Sequence, residues 1–274
     1  MDGQAKTRAS GADGGGAWGT SAGSYDRAAP TFEPFAEWLA ELCSLREDMA
    51  VLDVGCGTGI SSLVAARHVG SRGRVTGIDV SERMVEVARN KAVAMSWPNV
   101  QFLVRRAEQT GLPDESFDAA ISNFSLHLFD DQPAAVREMT RVVRPGGRVG
   151  WTVPASDHAK EMIAAFTIVC EQLRLPVSSP GERPLKPGRT GIDRLLRSSS
   201  PGTRARIDER RQVFAYTDPE AYRGVLGARM PRLLSRVPED RRPEVQQGML
   251  ALLLAQGGDF TFTCHAYGVV CDKA

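Results

Sequence analysis

Asp53-Val54-Gly55-Cys56-Gly57-Thr58-Gly59 closes a short apolar run with glycines at alternate positions. Missing Cβ atoms let a ligand approach the backbone closely. A glycine-rich turn at the carboxyl end of a strand is where doubly wound α/β folds bind nucleotides. Twenty positions after Gly59 stands Asp79, the last residue of Gly77-Ile78-Asp79. A carboxylate there can accept hydrogen bonds from both hydroxyls of a ribose. Val80 and Met84 follow and offer apolar flanks for a base. The chemistry these residues suggest is the holding of a nucleoside, with Asp53, Gly55, Cys56, Gly57 and Gly59 as its floor.

Two kinds of nucleotide compete for such a floor. The dinucleotide pattern G-x-G-x-x-G, counted from Gly55, needs a sixth-position glycine, where this chain has Ile60. The third glycine comes one place early, at Gly59, and no Tyr-x-x-x-Lys pair is present. A pyrophosphate also wants a helix N-terminus aimed at it, whereas a nucleoside without phosphate needs only close backbone approach.

The elements that must position this turn alternate. Strands are expected near 50–54, 74–78, 100–104, 117–123 and 148–153, with helices over 59–69, 81–95, 132–143 and 157–173. An amphipathic helix over 32–45 precedes them, with Phe35, Trp38, Leu39 and Leu42 on one face. Ser81 is placed to cap a helix, and Arg144-Pro145-Gly146-Gly147 to stop one. Further strands are expected over 206–216 and 260–271, and a helix opening at Asp218-Pro219. This is a doubly wound α/β fold on a seven-stranded, mostly parallel sheet. Residues 1–24 are rich in Gly, Ala and Ser and read as a disordered tail, with Trp18 and Tyr25 its aromatic exceptions. The domain occupies 25–274, with lid or acceptor-binding insertions within about 155–256. Residues 176–203, dense in Pro, Gly, Ser and Arg, read as irregular.

The motifs in order resemble the class I S-adenosylmethionine-dependent methyltransferases, closest to the ubiquinone/menaquinone-type enzymes and their small-molecule relatives. Val51 to Gly59 resembles the first motif of that family. Phe117 to Asn123 resembles the fourth, and Glu138-Met139 with Arg141 to Gly147 the fifth. The resemblance covers about residues 30–153 and implies a Rossmann-like fold with S-adenosylmethionine as cofactor. It implies that Ala107 and Glu108 stand at the adenine end and Asn123 beside the reacting centre. The chain departs from the family at Arg106, where an acid usually receives the adenine amino group. A guanidinium cannot accept that hydrogen bond.

The implied reaction is in-line methyl transfer to a small-molecule acceptor, with a homodimer left open. The alternatives are a non-methylating reaction such as cyclisation on the same cofactor fold, and nicotinamide-dependent oxidoreduction. His127, just after the fourth strand, is the candidate base for an acceptor that must lose a proton. Ten basic residues against four acids between Arg174 and Arg211 could clamp an anionic acceptor. The formal net charge of +1 gives no general pull toward nucleic acid or membrane. No apolar run is long enough to span a bilayer. Five scattered cysteines without a C-x-x-C pair suggest neither a disulfide framework nor a metal site, and a reduced, cytoplasmic protein.

Overall fold

The computed structural model describes residues 26–175, 188–199, 204–255 and 260–274. The expected tail (1–24), Trp18, Tyr25 and most of the stretch read as irregular (176–187 and 200–203) lie outside the described residues.

Seven strands form one sheet in the order β3-β2-β1-β4-β5-β7-β6. These are β1 (Ala50–Val54), β2 (Arg74–Asp79), β3 (Val100–Val104), β4 (Phe117–Asn123), β5 (Val143–Pro154), β6 (Ala205–Tyr216) and β7 (Phe260–Asp272). β1 to β5 run parallel, and β7 pairs antiparallel with both β5 and β6. The helices are α1 (Ala29–Leu42), α2 (Ile60–Val69), α3 (Glu82–Ala94), α4 (Gln132–Val142), α5 (Lys160–Gln172), α6 (Arg189–Ser199), α7 (Pro219–Leu234) and α8 (Arg242–Leu254). The strand order reverses between β2-β1 and β4, where such sheets open a ligand crevice at their carboxyl ends.

Local causes account for most boundaries. Ser81 Oγ accepts the Met84 N–H and caps α3, while Asp218 accepts from Glu220 and Ala221 before Pro219 and caps α7. β1 and β4 are buried on both faces because helices cover the sheet on each side. Two expectations change. Arg144 to Gly147 do not separate α4 from β5: the strand begins at Val143, paired with Phe117, and a register shift absorbs the glycines. The Gly146 N–H bonds the Lys273 carbonyl and the Lys273 N–H bonds the Gly147 carbonyl, so the turn is stitched to the chain beyond β7. Second, part of the stretch read as irregular is the helix α6, which buries Ile192 and Leu195 against the β4–β5 face.

A second apolar layer gathers α5, α7, α8 and the start of α1 against β7, with Phe166, Tyr222, Leu226, Met249 and Phe262 among its buried side chains. No described helix is long and apolar enough to cross a membrane.

Gly77 carries the closest contact beneath the crevice. It faces Asp53 across the β1–β2 ladder, and a Cβ there would lie 2.5 Å from the buried Phe102 ring and 2.9 Å from Ser62 Oγ. Gly77→Ala should therefore destabilise the fold by about 1–3 kcal/mol, as overpacking does. The expected readout is a lowered urea midpoint with an unchanged m value.

Candidate functional site

The turn after β1 is fixed by its own backbone. Gly55, Gly57 and Gly59 take φ of 72°, 53° and 86°, the left-handed region that other residues adopt at a cost. The N–H groups of Gly55 and Cys56 both reach the Ile78 carbonyl, at 2.8 and 2.9 Å. Gly57 N–H donates to Asp79 Oδ2 at 2.9 Å, and Ser81 N–H donates to Asp79 Oδ1 at 2.9 Å. Asp79 thus clasps the glycine turn to the start of α3. At Gly55 a side chain would also strike Ser125, 2.7 Å from the position its Cβ would take.

Two carboxylates lie under and beside this turn. Asp79 is raised from its ordinary range by burial, against three backbone hydrogen bonds that favour its charged form. Asp53 is fully buried; Ser62 Oγ donates to its Oδ2 at 2.6 Å, and its Oδ1 has no hydrogen-bond partner among the described residues. Burial first, then the charge of Asp79, pushes Asp53 up to about 7, although the Ser62 hydrogen bond opposes the shift.

The cleft above the turn holds about 1150 Å³ of empty space, part of it open to solvent. Of the residues expected from sequence, Gly55, Cys56, Gly57, Asp79, Val80, Met84, Ala107, Glu108 and Asn123 line it together. Three do not. Asp53 lies beneath the turn. Gly59 packs against α3 and β3, where a Cβ would come within 3.0 Å of Phe102 and 3.1 Å of Ala88. His127 sits half-buried in a 3-10 turn, Leu126–Leu128, whose neighbours Ser125, Leu128 and Phe129 face the cleft while Leu126 enters the core. The structure therefore does not bring its imidazole to the wall.

Arg105 and Arg106 reach the cleft after β3. Arg106 donates to Asp130 Oδ2 at 2.8 Å and lies 3.6 Å from Glu108 Oε2, so it ties the loop after β3 to the loop after β4. The loop after β3 is held from behind by Glu138 of α4, which accepts the Thr110 N–H and hydroxyl and pairs with Arg141. Arg141 first, and Thr110, hold Glu138 down at about 2.

At the end of β4, Asn123 Oδ1 accepts from Thr152 Oγ1 at 2.6 Å, and Thr152 Oγ1 in turn accepts the Phe124 N–H. Phe124 is held at φ 52°, a strained position for an aromatic residue beside a cleft. Phe32, Phe124 and Phe129 add an aromatic wall that sequence reasoning missed. Their only signal was apolar spacing, which also marks core. None of the described members of the basic cluster lines the cleft. Arg206 pairs with Asp208, Arg211 with Asp157, and Arg210 lies over Trp38; Arg183 and Lys186 fall outside the described residues.

Residues 51–147 match the family described as a methyltransferase domain. The chain is 34% identical over 139 residues to aklanonic acid methyltransferase DauC of Streptomyces sp. (strain C5), covering 50% of this chain and 63% of that protein. It is 37% identical over 131 residues to the demethylmenaquinone methyltransferase of Listeria monocytogenes serotype 4a (strain HCC23), covering 46% and 55%. The chain thus spans between half and two thirds of these relatives' lengths. Among solved structures, the [4+2]-cyclase SpnF shares the fold at 24% identity and a TM-score of 0.53, over 88% of this chain and 81% of that one.

The Asp53 carboxyl gives the site a pH signature. Its folded pKa lies above the unfolded value near 3.8. Between these values the folded state holds a proton that the unfolded chain has lost. Its contribution to stability is therefore full below about pH 4 and disappears as pH rises through about 7. Thermal melts across this range should show a slope in the wild type that Asp53→Asn flattens.

Proposed function

We propose that this chain, whose residues 51–147 are a methyltransferase domain of the class I, S-adenosylmethionine-dependent kind, transfers a methyl group from that cofactor to a small-molecule acceptor. The observation that carries the cofactor half is the occupancy of the turn. Four N–H groups of the turn are engaged within the protein: Gly55 and Cys56 with Ile78, Gly57 with Asp79, and Gly59 with the Cys56 carbonyl. The buried Asp53 and the half-buried Asp79 at the same place disfavour phosphate and favour a ligand with a cationic end. These residues fit S-adenosylmethionine and fit a dinucleotide poorly.

In this reading Asp79 holds the ribose with the acceptor capacity left beyond its backbone hydrogen bonds. Val80, Met84, Ala107 and Glu108 border the base, and the glycine turn, with Asp53 beneath it, faces the amino-acid end. Bound there, the cofactor supplies an electrophilic methyl on a sulfonium. The protein's part is alignment, worth up to ~7–11 kcal/mol in favourable cases. Asn123, fixed by Thr152, and the strained Phe124 set the geometry at the end of β4, while Phe32, Phe124 and Phe129 exclude water. The layer of α5, α7 and α8 closes the acceptor side as a lid. His127 positions the turn after β4 in this scheme and is not required to touch the acceptor.

The small-molecule acceptor class is supported by the names of the matched relatives and by the aromatic wall. A second reading, cofactor binding with a non-methylating reaction such as cyclisation, has the fold shared with SpnF in its favour.

Calorimetric titration should show micromolar binding of S-adenosylmethionine and S-adenosylhomocysteine, none of NAD, and loss of binding in Asp79→Ala. Binding of NAD alone would overturn the cofactor reading. With a turning-over acceptor, S-adenosylhomocysteine should appear mole for mole with product; product without it would favour the second reading.

A further inference from the structure

Asp26 opens the short 3-10 turn (Asp26–Ala28) that leads into α1. Its Oδ1 accepts from two groups on separate elements, Thr58 Oγ1 at 2.7 Å and Lys91 Nζ at 2.8 Å. Thr58 is buried in the glycine turn and lines the cleft. Lys91 stands in the last turn of α3, the helix whose start Asp79 clasps. One carboxylate therefore joins the chain before α1 to both elements that form the nucleotide end of the cleft. The glycine turn is held independently of these contacts, by the bonds of the Gly55 and Cys56 N–H groups to Ile78 and of the Gly57 N–H to Asp79. What they add is attachment of the segment 26–32.

The other end of this segment is fastened elsewhere. Phe32 lines the same cleft. Thr31 Oγ1 donates to the Ala28 carbonyl and accepts from Arg229 of α7 at 2.6 Å. The Arg229 guanidinium lies 4.2 Å from the Phe32 ring centroid and 4.5 Å from that of Phe262 on β7. Arg27 packs over Gly224 of α7, where a Cβ would come within 3.2 Å of it. The segment is thus anchored to the glycine turn at its start and to the helical layer at its end, with the cleft between.

We infer that Asp26 is a positioning residue for cofactor retention. Its contacts with Thr58 and Lys91 hold the 26–32 segment as a strap against the cleft, and a nucleoside–amino-acid ligand leaves when they break. The bond to buried Thr58 carries most of the effect. The Lys91 partner is more exposed, and salt screens it. The inference rests on the cofactor reading given above.

The test is the release rate of S-adenosylhomocysteine from the full chain, followed by displacement with labelled S-adenosylmethionine. Asp26→Ala, which removes the acceptor, should release it roughly tenfold faster, the factor that 1.4 kcal/mol gives. The association rate and melting temperature should hold, and Asp26→Glu should restore part of the retention. Lys91→Met should give a smaller change that disappears in the Asp26→Ala background, because both act through one carboxylate. Unaltered release in a folded Asp26→Ala, or effects of the two variants that add, would overturn the strap. If Asp26→Ala fails to fold, Lys91→Met and Asp26→Glu decide: wild-type release in both overturns the proposal. Wild-type protein that binds no S-adenosylhomocysteine would overturn the cofactor reading and the strap together, whereas binding with unaltered release would overturn the strap alone.

Discussion

The carboxylate of Asp79 is the interaction on which the site depends. It ends β2, receives the Gly57 N–H from one loop and the Ser81 N–H from another, and so fixes the separation of the two turns that border the crevice. A half-buried carboxylate is costly unless its oxygens are satisfied. Here the backbone supplies those bonds. Much of the surrounding architecture serves to deliver this group. The β1–β2 register sets Asp53 opposite Gly77, the glycine at 77 makes room for Phe102, and the Ser81 cap starts α3 where its N–H meets the carboxylate.

The nucleotide half was legible because its causes are local. Alternate glycines, a cap, an apolar run and a carboxylate at a strand end each leave a mark within a few residues. β1, β3 and β4 accordingly fall where periodicity places them. What escaped notice depends on distant partners. Arg106 reads only as a donor where an acceptor was expected; its bond to Asp130 crosses twenty-four positions of sequence. Arg144 to Gly147 carry every sign of a helix stop. Their place in β5 follows from Phe117 and Lys273, which no local pattern announces. His127 has the right chemistry and position in sequence, but a 3-10 turn decides which of its neighbours face the cleft. The helix α6 hides its apolar stripe among polar residues, and the mean composition of that stretch points the other way.

The aromatic wall of the cleft is governed by packing. Phe32, Phe124, His158, Phe262 and Arg229 form a closed circuit of ring and guanidinium contacts, with neighbouring ring centroids 5.3 to 6.2 Å apart and the Arg229 cation within 4.5 Å of two of the rings. Burial, aided by the Arg229 charge, lowers His158 to about 3, so it stands neutral within the circuit. The circuit draws from α1, the end of β4, the start of α5, β7 and α7. A shift in any one of these elements is felt on the cleft wall, where Phe32 and Phe124 present their rings. Aromatic pairs of this geometry add about 0.5–1.5 kcal/mol each beyond the area they bury, which favours a stiff wall over an adaptable one.

The position of β7 bears on how the molecule is made. β7 follows β5 and β6 in sequence, yet it lies between them, and both leave the ribosome before it. The parallel strands β1 to β5 can pair as they emerge, so the nucleotide floor can assemble early in synthesis. β6 has no neighbour in the sheet until residues 260–272 arrive and zip against both sides at once. Until then a twelve-residue strand waits with both edges unpaired, the kind of surface that invites wrong partners. Its charges at Arg206, Asp208, Glu209, Arg210 and Arg211 suit that interval, because they keep the strand solvated while its partner is still being translated.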